Sequence, residues 1–118
     1  MINGKWEVVS IQIKTVTNGD IENESYIGKP SDFVNFKDDN TVQSSVDEIG
    51  ETVLYKILPD NKVSIDNEIF DIKTLTTNTC ILYSKTVIDN NNSEEQTISL
   101  KNNLYLLRRL PSFAVYIC

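Results

Sequence analysis

Carboxylates are the main candidates for acid–base chemistry in this chain. The 118 residues include 17 Asp and Glu but no histidine, so the usual proton shuttle near neutral pH is missing. Two carboxylate pairs are adjacent in sequence, Asp38-Asp39 and Glu94-Glu95. Acid–base catalysis would require burial to raise the pKa of one member of a pair. Both pairs fall in turn-like or outward-facing positions, so we interpret them as solvated charges and predict that the protein is not an enzyme.

Other common site chemistries have no matching pattern. The two cysteines, Cys80 and Cys118, have no CxxC spacing, which excludes a usual Cys/His zinc site. There is no EF-hand-like spacing, Gly-rich phosphate loop or Gly-x-Ser-x-Gly elbow. The net charge is −6 and the longest basic run is Arg108-Arg109, so nucleic acid is not an expected partner. No metal or cofactor is predicted.

The cysteines leave two alternatives open. Either both thiols are free and Cys80 is an ordinary buried residue, or Cys80 pairs with Cys118 and ties the C-terminus to the core. The second alternative requires an oxidising compartment.

Composition predicts one all-β domain over residues 1–118. Ile, Val, Thr and aromatic residues far outnumber Ala, Leu and Met, with one Ala in the chain. Such side chains pack well on strands and lose rotamer freedom in helices. No apolar run approaches the roughly 20 residues that span a bilayer. No signal-peptide pattern precedes Trp6, which fits either a removed export signal or a cytosolic protein.

Alternating residues and polar turns predict a meander of short strands. We expect a long loop at 17–31, an apolar C-terminal tail docked at 111–118, and a bulge near Val8-Val9, where the apolar alternation changes face. Asn102-Asn103 is either a hairpin leading to a ninth strand at 104–110 or an irregularity within one long final strand. The remaining predicted strands are 6–16, 32–37, 41–46, 51–58, 62–65, 68–75, 79–88 and 94–101.

Motifs along residues 4–110 resemble those of the small bacterial lipocalin-like domains. The resemblance rests on their order and spacing: Gly4-Lys5-Trp6, the turn Phe36-Lys37-Asp38-Asp39-Asn40, the strand Val53-Leu54-Tyr55-Lys56-Ile57, and a late strand pair running from Phe70-Asp71-Ile72-Lys73-Thr74-Leu75-Thr76 to Cys80-Ile81-Leu82. Asn40 stands where the family pattern has Gly, and Asn also adopts the left-handed conformation.

The resemblance implies an antiparallel up-and-down calycin-type barrel of about eight strands that holds one small apolar ligand. It also implies export to the cell envelope, with a membrane contact only through a lipid anchor upstream of the first strand. Trp6 would plug the closed end beneath Arg108 or Arg109, as a cation–π contact.

In such a barrel, acidic residues would predominate at the open end and basic residues at the closed end. Turns at 38–40, 59–61 and 76–78 share the Trp6 end, and the other turns form the open end. Only Lys14, Lys29 and Lys85 oppose the acidic residues at the open end, which are Asp20, Glu22, Glu24, Asp32, Asp47, Glu48, Glu51, Asp66, Glu68, Asp89, Glu94 and Glu95. Either these are simply solvated turn charges, or they form a mouth that suits neutral or cationic ligands over anionic ones. The basic closed end would face anionic headgroups if an anchor preceded it.

We therefore predict non-enzymatic binding of a small, largely apolar molecule. The alternative is an envelope module that recognises protein or glycan and whose barrel is filled by its own side chains. The residues expected to point inward at the mouth are Tyr26, Phe33, Val53, Tyr55 and Phe70. The sequence makes no prediction about the oligomeric state.

Overall fold

The structure is a computed structural model that describes residues 2–102, and these residues form nine antiparallel strands. The strands are β1 (Gly4–Thr17), β2 (Asp20–Ile27), β3 (Phe33–Phe36), β4 (Thr41–Val46), β5 (Ile49–Leu58), β6 (Lys62–Ile65), β7 (Glu68–Leu75), β8 (Thr79–Asp89) and β9 (Asn92–Lys101). The predicted all-β class is confirmed. Residues 2–102 contain no helix long and apolar enough to cross a bilayer.

Eight of these strands close into an up-and-down barrel. Each of β3 to β8 pairs with the next strand in sequence, and β9 returns to pair with β1. On its other side β1 carries β3 along residues 4–7 and β2 along residues 10–17. β2 is therefore an extra strand beside the closed barrel.

The bulge expected in β1 is confirmed. Its register against β9 shifts between Val8 and Ser10, so Val8 and Ile11 both face the interior although they are three residues apart. Val9 is left exposed on the outside. Because β3 ends its pairing and β2 begins its own at this point, the bulge is where β1 changes neighbours.

The loop predicted at 17–31 is mostly wrong, because eight of its residues form β2. Asn18 and Gly19 both have positive φ, at 51° and 84°, and make the two-residue turn of a hairpin in which β2 pairs with β1 from Thr17↔Asp20 to Ser10↔Ile27. Seven of the eight β2 side chains are exposed, so the strand has no apolar alternation to identify it.

Left-handed residues make the tight turns elsewhere. Asn40 has φ 66°, as expected for the Gly position of its motif, and Asp66 and Asn67 form the predicted two-residue hairpin with φ 51° and 68°. Short polar side chains tolerate this conformation better than other non-glycine residues.

The core fills the end of the barrel where β1 begins. Phe36 and Tyr55 meet there edge to face, with ring centroids 5.1 Å apart. Cys80 is fully buried, and desolvation raises the pKa of its thiol to about 11. The buried apolar residues are Ile2, Trp6, Val8, Phe36, Val42, Tyr55, Val63, Phe70, Cys80, Leu82 and Leu100.

Several predictions fall on residues that the structure does not describe. These are the ninth strand at 104–110, the docked tail at 111–118, the contact of Arg108 or Arg109 with Trp6, and the pairing of Cys80 with Cys118.

Candidate functional site

A cavity of about 330 Å³ lies inside the barrel, and all eight barrel strands contribute to its wall. Its apolar lining follows from strand alternation, because every second residue of each strand faces inward. That lining consists of Val8, Ile11, Val34, Phe36, Val42, Val46, Val53, Ile65, Phe70, Leu82, Ile98 and Leu100. Ligand sites in proteins typically enclose about 300–1,000 Å³, so this cavity suits a small molecule.

Trp6 closes one end of this interior. It is buried at the start of β1, and its indole Nε1–H donates a hydrogen bond to the backbone carbonyl of Ile2 at 2.8 Å. Ile2 is itself buried, so the segment before β1 folds over the barrel end together with the indole. A ligand would therefore enter from the opposite end.

Polar side chains line the cavity toward that open end. They are Ser44, Glu51, Asp66, Glu68 and Gln96. Glu68 Oε2 accepts a hydrogen bond from the buried Ser84 hydroxyl at 2.8 Å. Within residues 2–102, no group of three or more acidic, histidine or cysteine side chains is arranged to hold a metal ion.

Asp32 organises the rim of the open end. It is only 2% exposed, and its Oδ2 accepts hydrogen bonds from the Lys29 backbone N–H at 2.8 Å and from the Tyr26 hydroxyl. Its Oδ1 accepts the backbone N–H of Asp47 at 3.1 Å. These donors, led by the Lys29 N–H, hold the pKa of Asp32 below its ordinary value. One carboxylate thus joins β2, the β2–β3 connection and the β4–β5 turn.

We expect Asp32→Asn to destabilise the protein at pH 7, because an amide nitrogen would replace one of the two accepting oxygens. Since the folded pKa of Asp32 is lowered, its stabilisation is present above the unfolded pKa of about 4 and is lost as pH falls through the folded value. Urea midpoints should therefore differ most at neutral pH, and they should converge as the pH falls below about 4 and through the folded pKa of Asp32. Tyr26→Phe, which removes one of three donors, should cost less. A midpoint gap that stays constant down to the lowest pH would contradict this role.

The two members of each adjacent carboxylate pair have different surroundings. Glu94 and Glu95 lie on opposite faces of β9, and Glu95 accepts a hydrogen bond from the Tyr83 hydroxyl. Asp39 accepts the Thr41 backbone N–H at 3.1 Å, as a turn residue does.

The five residues expected at the mouth lie in different parts of the barrel. Val53 and Phe70 line the cavity. Tyr26 lies at the rim, where it pairs across strands with Ile11 and bonds Asp32. Tyr55 lies deeper, in the core of the closed end, and donates its hydroxyl to the Lys37 carbonyl at 2.8 Å.

Phe33 does not point inward as expected. It alternates with Val34, which lines the cavity, and therefore lies on the outer face of β3. The ammonium of Lys5 lies 4.5 Å from the centroid of its ring. Phe33 therefore makes a cation–π contact outside the barrel and does not line the mouth.

The sequence predicts Glu51 and Glu68 at the mouth, and the structure places both in the cavity wall. Each stands two residues before a predicted lining residue, Val53 or Phe70, and so shares its face. The alternation could therefore have identified both as inward-facing.

A larger groove, of about 830 Å³, lies along β5 and β6. It includes Leu54 and Lys56, which alternate with the inward-facing Val53 and Tyr55 and so belong to the outer surface. Because the barrel does not surround this groove, the interior cavity is the better candidate site.

No family model matches the chain, and a search of curated proteins finds no relative.

Proposed function

We propose that this protein binds one small, largely apolar molecule inside its barrel and performs no chemistry on it. The observation that supports this most strongly is the interior cavity of about 330 Å³, lined by apolar side chains from every barrel strand. Burial of apolar ligand surface in such a cavity would supply the binding free energy.

The size of the cavity limits the ligand. A cavity of about 150 Å³ suffices for benzene, so one about twice that volume suits a short alkyl chain or a small ring system. The alternative function, recognition of protein or glycan by a barrel filled with its own side chains, has less support because this interior retains a cavity of ligand size.

A titration with 1-aminoanthracene, a small uncharged fluorophore, tests the proposal. We expect its fluorescence to rise on binding, with one site per chain. Val53→Phe, which places a larger side chain in the cavity, should weaken binding by at least about tenfold, equivalent to about 1.4 kcal/mol of steric conflict.

Leu54→Phe is the matched control. It makes a similar change one residue further along β5, at a side chain that is 70% exposed on the outer face. Its affinity should equal that of the wild type, and circular dichroism should show both variants folded. Equal weakening by the two variants, or no saturable binding to the wild type, would contradict the proposal.

A further inference from the structure

Three carboxylates lie at the open end of the cavity. Glu51, Asp66 and Glu68 all line the cavity. Within residues 2–102, none of them lies within ion-pair distance of a lysine. All three side chains are exposed at the opening, so they would act on a ligand through the electrostatic field at the cavity entrance.

The part of the sheet formed by β2, β1 and β9 beside the opening carries further carboxylates, on the same face as the cavity lining. Residues paired directly across antiparallel strands share a face, and faces alternate along each strand. On β1, Ile11 lines the cavity, so Ile13 and Thr15 continue that face beyond the bulge. Their neighbours on β2 and β9 include three glutamates: Glu24 opposite Ile13, and Glu22 and Glu94 opposite Thr15.

Three lysines near the open end, Lys14, Lys29 and Lys85, do not share a face with these glutamates or are paired with another carboxylate. Lys14 and Lys85 are both paired in register with Glu95, which places the three on the outer face of the wall. Lys29, at the rim, forms an ion pair with Asp47 at 2.5 Å, and that contact raises its pKa. The carboxylates of the inner face are therefore not neutralised by these nearby lysines.

From this arrangement we propose that the ligand is a cationic amphiphile, an alkylammonium compound whose apolar part fills the cavity and whose charged group faces Glu51 and Glu68. The inference rests on the proposed function, since the apolar cavity supplies the site and the carboxylates select among its ligands. An anionic ligand of the same shape is repelled by the same charges.

Isothermal titration calorimetry with three ligands of equal chain length tests this: octylammonium, octanol and octanoate. An exposed ion pair raises affinity by up to about fivefold, and two carboxylates would face the ammonium group. At low salt we therefore expect octylammonium to bind about tenfold more tightly than octanol. Octanoate should bind most weakly. The difference between ammonium and alcohol should shrink at about 1 M salt, where the Debye length is about 3 Å.

The variant Glu51→Gln/Glu68→Gln isolates the charge. Glutamine keeps the shape of both side chains and an oxygen at position 68 for the Ser84 hydroxyl. We expect the preference for octylammonium to disappear while octanol binds as before. The control variant Asp38→Asn/Asp60→Asn removes the same net charge from turns at the closed end and should retain the preference.

The outcomes separate the two proposals. If octanol does not bind the wild type, the proposed function fails and this inference fails with it. If octanol binds but octylammonium binds no more tightly, only the assignment of a cationic ligand is overturned. Loss of the preference in the closed-end control would also overturn it, because net charge alone would then explain the selectivity.

Discussion

Trp6→Ala is expected to lower the free energy of unfolding by about 3–5 kcal/mol, the range for removing a large aromatic side chain from a core. The indole is buried among residues of the closed end, and its Nε1–H satisfies the carbonyl of the buried Ile2. Alanine would leave both a cavity and an unpaired carbonyl. Since small domains are stable by only about 5–15 kcal/mol, the variant would lose a large part of its stability.

Urea denaturation followed by far-ultraviolet circular dichroism measures this loss, because Trp6 is the only tryptophan and its fluorescence disappears with the substitution. Trp6→Phe should cost less, since it keeps most of the apolar burial and loses the hydrogen bond. Leu54→Ala, on the outer surface, should change stability by no more than about 0.5 kcal/mol. A Trp6→Ala loss as small as that of Leu54→Ala would contradict the role of Trp6 as the plug.

Gly28→Ala is expected to lower stability by about 1–3 kcal/mol or more, as overpacking does. A Cβ built on Gly28 would lie 1.8 Å from the carbonyl oxygen of Val8 and 2.6 Å from its carbon. Both are backbone atoms, so β1 or the end of β2 would have to move. The Gly28 N–H also donates to the Val9 carbonyl at 2.9 Å, and the shift would disturb that bond.

Gly50→Ala is the matched control. The nearest atom to a Cβ there is the Ser44 carbonyl oxygen at 4.0 Å, so alanine fits. Its stability should match the wild type or rise slightly, because alanine restricts the unfolded chain. Hydrogen exchange should show faster opening of β2 in Gly28→Ala alone. Equal stabilities for the two variants would contradict the close approach of Gly28 to the β1 bulge.

The sequence predicted most of the barrel because its strands have a buried face. From β3 to β9 the predicted bounds differ from the observed ones by at most two residues at either end. Inward apolar residues alternate along these strands, and residues such as Asn40 and Asp66 identify the turns by tolerating positive φ.

β2 was missed for the opposite reason. With seven of its eight side chains exposed, it shows no apolar periodicity, and it is held by its pairing with β1 and by the hydrogen bond from Tyr26 to Asp32. The Asn18-Gly19 dipeptide is a strong hairpin signal when alternating apolar residues flank it on both sides, and residues 20–27 lack that alternation. Asn18-Gly19-Asp20, Gly28 and Pro30 break the apolar pattern of 17–31 and instead predict a loop.

The candidate site was predictable in part. Alternation from Val53 and Phe70 places Glu51 and Glu68 on the inner face, and the mouth was expected to be acidic. The cavity itself was not predictable, because its volume depends on how side chains from eight strands meet. The outward position of Phe33 depends on the register of β3, which a four-residue strand specifies weakly from sequence.

The most direct test of ligand binding within the barrel is the pattern of intermolecular nuclear Overhauser effects between bound octanol and methyl-labelled protein. We expect contacts from methyl groups of Val53, Ile65 and Ile98, which line the cavity. Contacts confined to Ile49, Leu54 and Ile69, which are exposed to solvent, would contradict binding inside the barrel.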